Sequence, residues 1–408
     1  MIGWSEDELA VRAMVRDFVD KEVRPLQDDL EHHGLPPYDV LRRLYAAFGI
    51  GEMAAEAFDR QVAALESGEP REPRDGGSGG SGGGWDLAMA SIVNIELAKV
   101  AMGLSSALGV SMGLAAGTIN ARGTLEQRRR WARDLLTLDT VGAWAITEPD
   151  SGSDAFGGMR TTVRPDGDGW VLSGQKTFIT NGPYADTIVV YAKLDDGSGV
   201  PRREQPVMTF VLDAGMPGLT QGKPFKKMGI ASSPTGELFF DDVRLDRSRL
   251  LVGSGSDGRE SARSNFVVER VGIATLALGV IEECLRLCLD YARTRELWGR
   301  PIGEFQLIQL KLAEMEVARL NVENMVFRAI ESRRSGVTLS IAEASAMKLY
   351  SSRAACEVAM EAVQLFGGNG YMAEYRVEQL ARDAKSLMIY AGSNEVQVTH
   401  VAKGLLRG

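Results

Sequence analysis

The stretch "GWVLSGQKTFITNG", residues 169–182, marks the change of pattern that decides the fold. Three similar runs follow it: "DTIVVYAKL" at 186–194, "PVMTFVLD" at 206–213 and "GELFFDDVRL" at 236–245. All four are short, are rich in β-branched or aromatic residues, and are separated by Gly, Pro and Asp turns, which is typical of strands. They predict an antiparallel sheet domain over residues 143–252.

The sequence on both sides of this domain has the helical period instead. In "ELAVRAMVRDFVDKEVRPL", residues 8–26, apolar side chains recur at a spacing close to 3.6. The same period returns in long runs such as "NFVVERVGIATLALGVIEECLRLCLDYARTREL", residues 265–297. Helices, then a sheet, then helices do not make the alternating pattern of a parallel α/β nucleotide fold. The chain therefore reads as a multidomain α+β protein.

A polar Gly/Ser-rich insert, "SGEPREPRDGGSGGSGGG", interrupts the first helical region at about 67–84. It contains a literal GxGxxG at Gly77, Gly79 and Gly82. A dinucleotide fingerprint needs a strand before these glycines and a helix after them, whereas a Pro-rich polar run precedes them here. The insert is predicted to be a surface loop.

Composition excludes several classes of function. The net charge of −9 and the pI near 5.2 argue against a nucleic-acid partner, which would require a basic face. The three cysteines form no CxxC pair, and the three histidines show no metal-ligand spacing, so no metal site is expected. Acidic residues Glu6, Asp7 and Glu8 argue against a signal peptide, and we expect a cytoplasmic protein.

Residues 100–121, "VAMGLSSALGVSMGLAAGTINA", carry no charge and are long enough to span a membrane. Gly109, Gly113 and Gly117 also have GxxxG spacing. The run is nevertheless rich in Gly, Ser and Ala rather than in large apolar residues. It predicts a buried helix of a soluble protein, closely packed through its small residues, and no membrane span.

Three further stretches depart from the local patterns, and such departures tend to mark functional sites. They are "WAITEPDSGSDAFGG" at 144–158, "LFGGNGYMAEY" at 365–375 and "LMIYAGSNEVQ" at 387–397. Taken singly, the first is also compatible with an ordinary hairpin connection and the second with a helix C-cap turn. The third can aim backbone N–H groups at a ligand, but the tightest part of its bend carries no acid or base.

In this order, and together with "ARTRELWGRPIGEFQLIQLKLAEM" at 292–315, these stretches make the chain resemble the acyl-CoA dehydrogenase family over nearly its whole length, the insert excepted. The resemblance implies a helical N-terminal domain (1–142), a β-barrel-like middle domain (143–252) and a C-terminal four-helix bundle (253–408). It implies FAD-dependent oxidation of an acyl-CoA to the trans-2-enoyl-CoA, with an electron-transfer flavoprotein as acceptor. A homo-oligomer, a dimer of dimers, is also expected.

The resemblance carries FAD-binding roles to matching positions, some of which reach FAD across a subunit interface in the family. Backbone N–H and hydroxyl groups can bond the flavin ring, and an Arg fork suits a pyrophosphate. The expected cofactor positions are Trp144, Ile146, Thr147, Ser153, Phe178, Ile179, Thr180, Arg295, Trp298, Gln306, Gln364, Leu365, Gly367, Gly368, Ser393, Asn394 and Glu395. The expected substrate positions are Ser153, Arg270, Tyr390, Ala391 and Gly392.

The reaction needs a carboxylate to remove the proton α to the thioester, and many members of the family place a Glu directly after the Tyr of the last stretch. Here Ala391 follows Tyr390. Glu269 and Arg270 are the only charged residues from Phe266 to Ile281. The isovaleryl-CoA and long-chain members carry their base on this helix, with a small residue in the turn, so the resemblance makes Glu269 the expected base.

From the residues alone, Glu269 is equally compatible with the first turn of a helix, where the dipole favours a carboxylate, with Arg270 in solvent. As a base in an apolar pocket, it would have a raised pKa, moderated by Arg270. The Ala391 N–H would then donate to the thioester oxygen. Two alternatives to the dehydrogenase are a flavin monooxygenase or oxidase on the same fold and a catalytically inactive relative.

Overall fold

The computed structural model describes residues 3–67, 86–251 and 258–407. The Gly/Ser-rich insert, from residue 68 onward, lies outside the described residues. Within them, the order is helices, then a curled sheet, then helices, as the sequence pattern predicts.

The first helical region starts at a capping box, in which Ser5 and Glu8 bond each other's backbone N–H groups at 3.2 and 2.7 Å. A π-helical turn, Val19–Val23, and a 3₁₀ turn, Arg24–Leu26, follow the first helix. The α-helices of this region are α1 (Glu6–Phe18), α2 (Gln27–His32), α3 (Tyr38–Phe48), α4 (Ile50–Ser67), α5 (Leu87–Leu108), α6 (Gly117–Arg122), α7 (Leu125–Gln127) and α8 (Arg133–Leu136), with a second π-helical stretch at Arg128–Ala132.

The uncharged stretch forms the end of α5, the π-helical segment Gly109–Ala116 and α6. The helical path Leu87–Arg122 is long and apolar enough to cross a membrane, but 72% of its most apolar window is buried inside the protein. It therefore has the position of a core helix, as predicted. The GxxxG glycines do not provide the close packing, because a β-carbon at Gly109 or Gly113 would meet nothing within 4 Å. Gly103 makes the close approach instead, to the Ser232–Ser233 backbone.

The middle of the chain forms a seven-stranded sheet in the order β1-β4-β2-β3-β7-β6, with β5 on the other edge of β4. The sheet is mixed: β4 pairs in parallel with β1 and with β2, and the other pairings are antiparallel. The expectation of a purely antiparallel sheet is wrong, since β1 and β2 reach β4 through long connections and not hairpins. The strands are β1 (Gly142–Ala145), β2 (Thr162–Asp166), β3 (Gly169–Thr180), β4 (Thr187–Leu194), β5 (Val207–Asp213), β6 (Leu219–Gln221) and β7 (Thr235–Leu245).

Long helices return after the sheet and share a core with α5. A β-carbon at Gly279 would lie 2.4 Å from the carbonyl oxygen of Ile95, so glycine allows the two helices to approach closely. The elements are α9 (Gly258–Thr294), a small hairpin of β8 (Glu296–Leu297) and β9 (Arg300–Pro301), α10 (Gln306–Arg334), α11 (Ile341–Phe366), α12 (Val377–Ser386) and α13 (Asn394–Arg407). Helix α9 packs against α5, α10 and α11, and Phe266 near its start packs against the sheet domain.

Candidate active site

Glu269 and Arg270 lie well inside α9, which begins at Gly258. Arg270 is only 2% exposed, and its Nη1 donates to the Ser345 hydroxyl of α11 at 3.0 Å. The alternative with Glu269 in the first helical turn and Arg270 in solvent is therefore wrong. Because neighbouring helix residues point about 100° apart, the Glu269 carboxylate faces a different direction from the Arg270 guanidinium.

The Glu269 side chain is half-buried and accepts no hydrogen bond from any residue in the described ranges. Burial raises the pKa of its carboxyl group to about 7, and the positive charges of Arg270 and Lys348 oppose that rise. A carboxylate stripped of water and left without donors has a high affinity for a proton. Glu269 can therefore act as a general base near neutral pH.

The turn after α12 lies beside this carboxylate. Ala391 and Gly392 both have left-handed backbone conformations, with φ of 57° and 79°. A β-carbon at Gly392 would lie 2.7 Å from the Gln397 side-chain nitrogen and 3.9 Å from Arg270 Nη2. The positive φ favours glycine at this position, and a β-carbon would also displace the Gln397 amide. The turn and the Glu269–Arg270 pair, which are far apart in sequence, meet at one place.

Tyr390 brings a hydroxyl group to the same place. Its ring packs against the helical core, and its oxygen is buried without a hydrogen-bond partner. Burial raises the pKa of the phenol, the neighbouring Ser106 hydroxyl lowers it, and the charge of Glu269 raises it by less than burial does. Tyr390 therefore stays protonated, and it lies between Glu269 and the end of α5.

Thr118 connects α9 to the first strand of the sheet. Its hydroxyl oxygen accepts hydrogen bonds from Trp144 Nε1 at 3.2 Å and from Asn265 Nδ2 at 3.1 Å. Phe266 packs in the same apolar cluster as Trp144 and Ile146. Since Asn265 lies about one helical turn before Glu269, the end of β1 is held close to the candidate base.

A buried ion pair fixes the loop that follows β1. Lys176 Nζ lies 2.8 Å from Glu148 Oε1 and donates to the Ile146 carbonyl oxygen at 2.9 Å. Glu148 also accepts a hydrogen bond from the Thr161 N–H at 2.9 Å. Burial lowers the pKa of Lys176 to about 8, although Glu148 opposes this. The ion pair and its hydrogen bonds hold Ile146 and Thr147 in one conformation beside β3.

The Phe178–Thr180 segment departs from regular strand geometry. The register of β3 against β7 shifts between Lys176 and Ile179, and Phe178 has a φ of 58°. Its ring is 66% exposed, whereas Ile179 is buried in the sheet core. A non-glycine residue with this backbone and an exposed aromatic ring suggests a site where a ligand makes contact.

The match to known proteins covers almost the whole chain. Models of the acyl-CoA dehydrogenase N-terminal, middle and C-terminal domains match residues 76–139, 143–243 and 256–406. An acyl-CoA dehydrogenase of Bacillus subtilis (strain 168) is 34% identical over 404 residues, which is 99% of each chain. The chain belongs to the acyl-CoA dehydrogenase family.

Solved structures of this family superpose closely on the dehydrogenase. Butyryl-CoA dehydrogenase from Megasphaera elsdenii has a TM-score of 0.84 and 32% identity, with 99% of each chain covered. A chain described as part of the electron transferring flavoprotein of Acidaminococcus fermentans has a TM-score of 0.83 and 32% identity, covering 100% of this chain and 99% of its own. The expected fold, the FAD cofactor and acyl-CoA dehydrogenation are confirmed, and the oxidase alternative is not favoured.

The residues of the sheet domain have the chemistry that a flavin ring requires. The N–H and hydroxyl of Thr147 and the hydroxyl of Thr180 have no hydrogen-bond partner within the described residues. Trp144 and Thr180 are half-buried, and Phe178, two residues before Thr180, is exposed. These unpaired donors could bond the heteroatoms of a flavin ring, and the exposed aromatic side chain could contact its face. The residues therefore fit FAD, which would be held here and would accept the hydride.

A second group of expected cofactor positions lies at the far end of α9. The ring of Tyr291 stacks on Phe366 with centroids 4.0 Å apart, and its hydroxyl accepts a hydrogen bond from Asn369 at 3.0 Å. This contact brings the β8–β9 hairpin to the Gly-rich bend. Arg295, Trp298, Gln306, Gln364, Gly367 and Gly368 are exposed there, and Leu365 is buried in the core.

Within the described ranges, no hydrogen bond or ring contact joins this second group to residues 144–153 or 178–180. The remaining expected positions differ in their surroundings. Ser153 and Glu395 are exposed and Ser393 is half-buried. Asn394 is buried, and its Oδ1 accepts hydrogen bonds from Lys348 and Ser352. The Asn394 carbonyl group thus faces α11, which the sequence did not predict.

Several residues of the site were not identified from the sequence. Lys348, Gln397 and the Glu148–Lys176 pair all hold backbone of the predicted loops in place. One signal was present: Lys348 is the single charged residue in the stretch "ASAMKLYSS", residues 344–352. A lone charge among small and apolar helix residues calls for a partner in the same way as the Glu269–Arg270 pair does.

Proposed function

We propose that Glu269 is the general base that removes the α-proton of the acyl-CoA thioester. The observation that carries the proposal is the half-buried Glu269 carboxylate, which has no hydrogen-bond donor in the described residues and a pKa raised to about 7. It stands next to the turn at Ala391, where many relatives carry a Glu. A base with a pKa near the working pH combines a high ionised fraction with a strong affinity for the proton.

The chemistry divides between the cofactor and the chain. FAD supplies the acceptor for the hydride that leaves the β-carbon. The Glu269 carboxylate takes the α-proton and becomes a carboxylic acid, while negative charge develops on the thioester oxygen. The Ala391 N–H donates to that oxygen, because the N–H has no acceptor within the described part of the chain. Trp144, Thr147 and Thr180 would hold and orient the flavin ring.

Replacing Glu269 by Gln tests this role. The variant keeps the size of the side chain and should still bind FAD and acyl-CoA, but it should lose flavin reduction by about 10²–10⁴-fold. Asp290→Asn is the matched control, since it makes the same carboxylate-to-amide change at an exposed position of α9. The readout is anaerobic bleaching of the FAD absorbance. Reduction of Glu269→Gln at the wild-type rate would show that the base lies elsewhere.

The acyl group follows from the placement of the base. We propose a substrate of the isovaleryl-CoA and long-chain type, because Glu269 on the helix and Ala391 in the turn together match that subgroup. Butyryl-CoA is the competing substrate, since relatives with short-chain specificity are 32–34% identical to this chain. An anaerobic panel of butyryl-, isovaleryl- and palmitoyl-CoA decides between them. Fastest reduction by butyryl-CoA would reject the proposed subgroup.

We also propose that an electron-transfer flavoprotein reoxidises the enzyme in the cytoplasm. The similarity to a chain from an electron transferring flavoprotein structure supports this acceptor. The three cysteines are free thiols, which fits a reducing compartment. Reoxidation of the substrate-reduced enzyme by dioxygen faster than by an electron-transfer flavoprotein would favour an oxidase.

A homo-oligomer, a dimer of dimers, is supported by an exposed apolar face on α10. Leu307, Leu310, Val317 and Leu320 share one side of that helix at helical spacing, and Leu307 is 76% exposed. Trp298 in the neighbouring hairpin is 87% exposed. A contiguous apolar surface of this kind marks an interface. Sedimentation should show an assembly that the double variant Leu307→Lys/Leu310→Lys dissociates; a monomeric wild type would refute the proposal.

The remaining expected cofactor positions on the hairpin and the Gly-rich bend are proposed to hold the pyrophosphate and adenosine of FAD, with some contacts made across the interface. Arg295→Ala should reduce the FAD content of the purified protein. An unchanged FAD content would exclude Arg295 from these positions.

The domain limits 1–142, 143–252 and 253–408 are likewise proposed. They agree with a last N-terminal helix ending at Leu136 and a first strand beginning at Gly142.

A further inference from the structure

Lys348 is a buried cation that the proposed chemistry does not yet use. It lies on α11 and is 0% exposed, and no carboxylate forms an ion pair with it in the described part of the chain. Its Nζ instead donates to the Gly392 carbonyl oxygen at 2.9 Å and to Asn394 Oδ1 at 3.0 Å. Burying an ammonium group without a carboxylate is costly, so its position indicates a role.

The first part of that role is to fix the turn. Gln397 Nε2 donates to the carbonyl oxygens of Ala391 and Gly392 at 3.1 and 2.7 Å, and Lys348 donates to the second of them. In a planar trans peptide the C=O and the next N–H point in opposite directions. With the two carbonyls held toward α11 and α13, the N–H groups of Gly392 and Ser393 point away from these helices.

Three successive N–H groups of the turn, those of Ala391, Gly392 and Ser393, have no acceptor within the described residues. Successive free N–H groups in a turn with left-handed residues form a concavity that binds negative charge. The turn therefore presents donors to an oxyanion, and the two side chains Lys348 and Gln397 keep it in that conformation.

The second part of the role concerns charge. The charged and titratable groups that face Glu269 are Arg270 on α9, Lys348 on α11 and Tyr390 in the turn. Glu395 on α13 faces Lys348. Lys348 and Arg270 are attracted to the Glu269 carboxylate, but Arg270 is bonded to Ser345 and Lys348 to the turn. Lys348 is thus the residue that contacts the turn and acts electrostatically on the base.

We propose that Lys348 is a positioning residue for the dehydrogenation: together with Gln397 it holds the N–H groups of Gly392 and Ser393 toward the thioester oxygen, and it favours the ionised form of Glu269. This inference rests on the proposed role of Glu269 as base. Gln397 shares the first task but, being neutral, cannot perform the second. The two side chains can therefore be separated by experiment.

The test is the pH profile of anaerobic flavin reduction in the FAD-loaded enzyme, with the acyl-CoA of the panel above that reduces the wild type fastest. In Lys348→Met the acid limb should move to higher pH by about 1 unit, because a nearby positive charge is lost. The limiting rate at high pH should fall about tenfold as the turn loosens. Gln397→Leu should lower the limiting rate without moving the limb.

Two further variants complete the design. Lys348→Arg keeps the positive charge, so the acid limb of its pH profile should lie at the wild-type pH. If Lys348→Met does not fold, Lys348→Arg still tests whether the charge at this position sets the limb. Lys403→Met removes an exposed lysine of α13 and should match the wild type in both respects. A limb that stays at the wild-type pH in Lys348→Met, or that moves equally in Lys348→Arg, overturns the inference. Glu269→Gln is measured in parallel: if it is as fast as the wild type, the proposed base fails, whereas an inactive Glu269→Gln with an unshifted Lys348→Met refutes the role of Lys348 alone.

Discussion

The rate of flavin reduction should rise about tenfold between pH 6 and pH 8. Only the ionised form of Glu269 can accept the α-proton, and its pKa is raised to about 7. A group with this pKa is roughly one tenth ionised at pH 6, half ionised at pH 7 and nine tenths ionised at pH 8. If proton abstraction limits the step, the rate follows the ionised fraction, and the increase is complete by about pH 8.

Anaerobic stopped-flow measurement of the FAD absorbance reports this step without turnover. The acyl-CoA is kept well below saturation, because the rate then reflects the pKa of the free enzyme and not that of the complex. Buffers of constant ionic strength are needed, since salt screens charges. The Glu269→Gln variant, measured over the same range, should show a low residual rate without this acid limb.

Two results would refute the reasoning. A rate that is constant from pH 6 to pH 8, with a limb only near the ordinary carboxyl value of 4.5, would mean that Glu269 is solvated in the working enzyme. A tenfold rise that persists in Glu269→Gln would mean that another group titrates in this range. Lys176 and Lys348, with pKa values lowered to about 8, are the candidates for such a group.

Three further predictions follow from the same contacts. The folded-state pKa of Glu269 lies above its ordinary value of 4.5, so the ionisation of this carboxyl group destabilises the folded protein as the pH rises to about 7. Glu269→Gln should therefore raise the free energy of unfolding, measured with denaturant, by about 3 kcal/mol at pH 8 and hardly at all at pH 4. Adding Ala391→Glu to Glu269→Gln should restore part of the flavin-reduction rate, because position 391 lies beside the same site; no recovery in the double variant would contradict this placement. Lys176→Met should destabilise the protein by about 3 kcal/mol and lower its FAD content, since it leaves the buried Glu148 without its cation; a variant with both Lys176→Met and Glu148→Gln should regain stability.

Local patterns were sufficient to predict the helical and sheet regions, because periodicity depends on which side of an element is buried. Strands β3, β4, β5 and β7 and the helix α9 are predicted in this way, whereas the three-residue strand β6 is not. The parallel pairing of β4 with β1 and β2 was not, since pairing between distant segments leaves no periodic signal. The same applies to the close contact of Gly103 with the Ser232–Ser233 backbone.

The candidate site divides in the same manner. Glu269 was noticed because two adjacent charges in an apolar helix conflict with burial. The loops carrying Thr147, Phe178 and Ala391 were recognised from motifs. What holds those loops could not be predicted, because Lys348, Gln397 and Lys176 act through hydrogen bonds to carbonyl oxygens whose identity depends on the fold.

The division of tasks between α9 and the turn has a physical basis. Ala391 and Gly392 have left-handed backbones, and their carbonyl oxygens are already bonded to Gln397, so the turn is well suited to present N–H groups. A long helix packed against α5, α10 and α11 is a more rigid support for a carboxylate. Placing Glu269 on α9 desolvates it without straining the turn, and the stability lost through its raised pKa is the cost of a base that works near neutral pH.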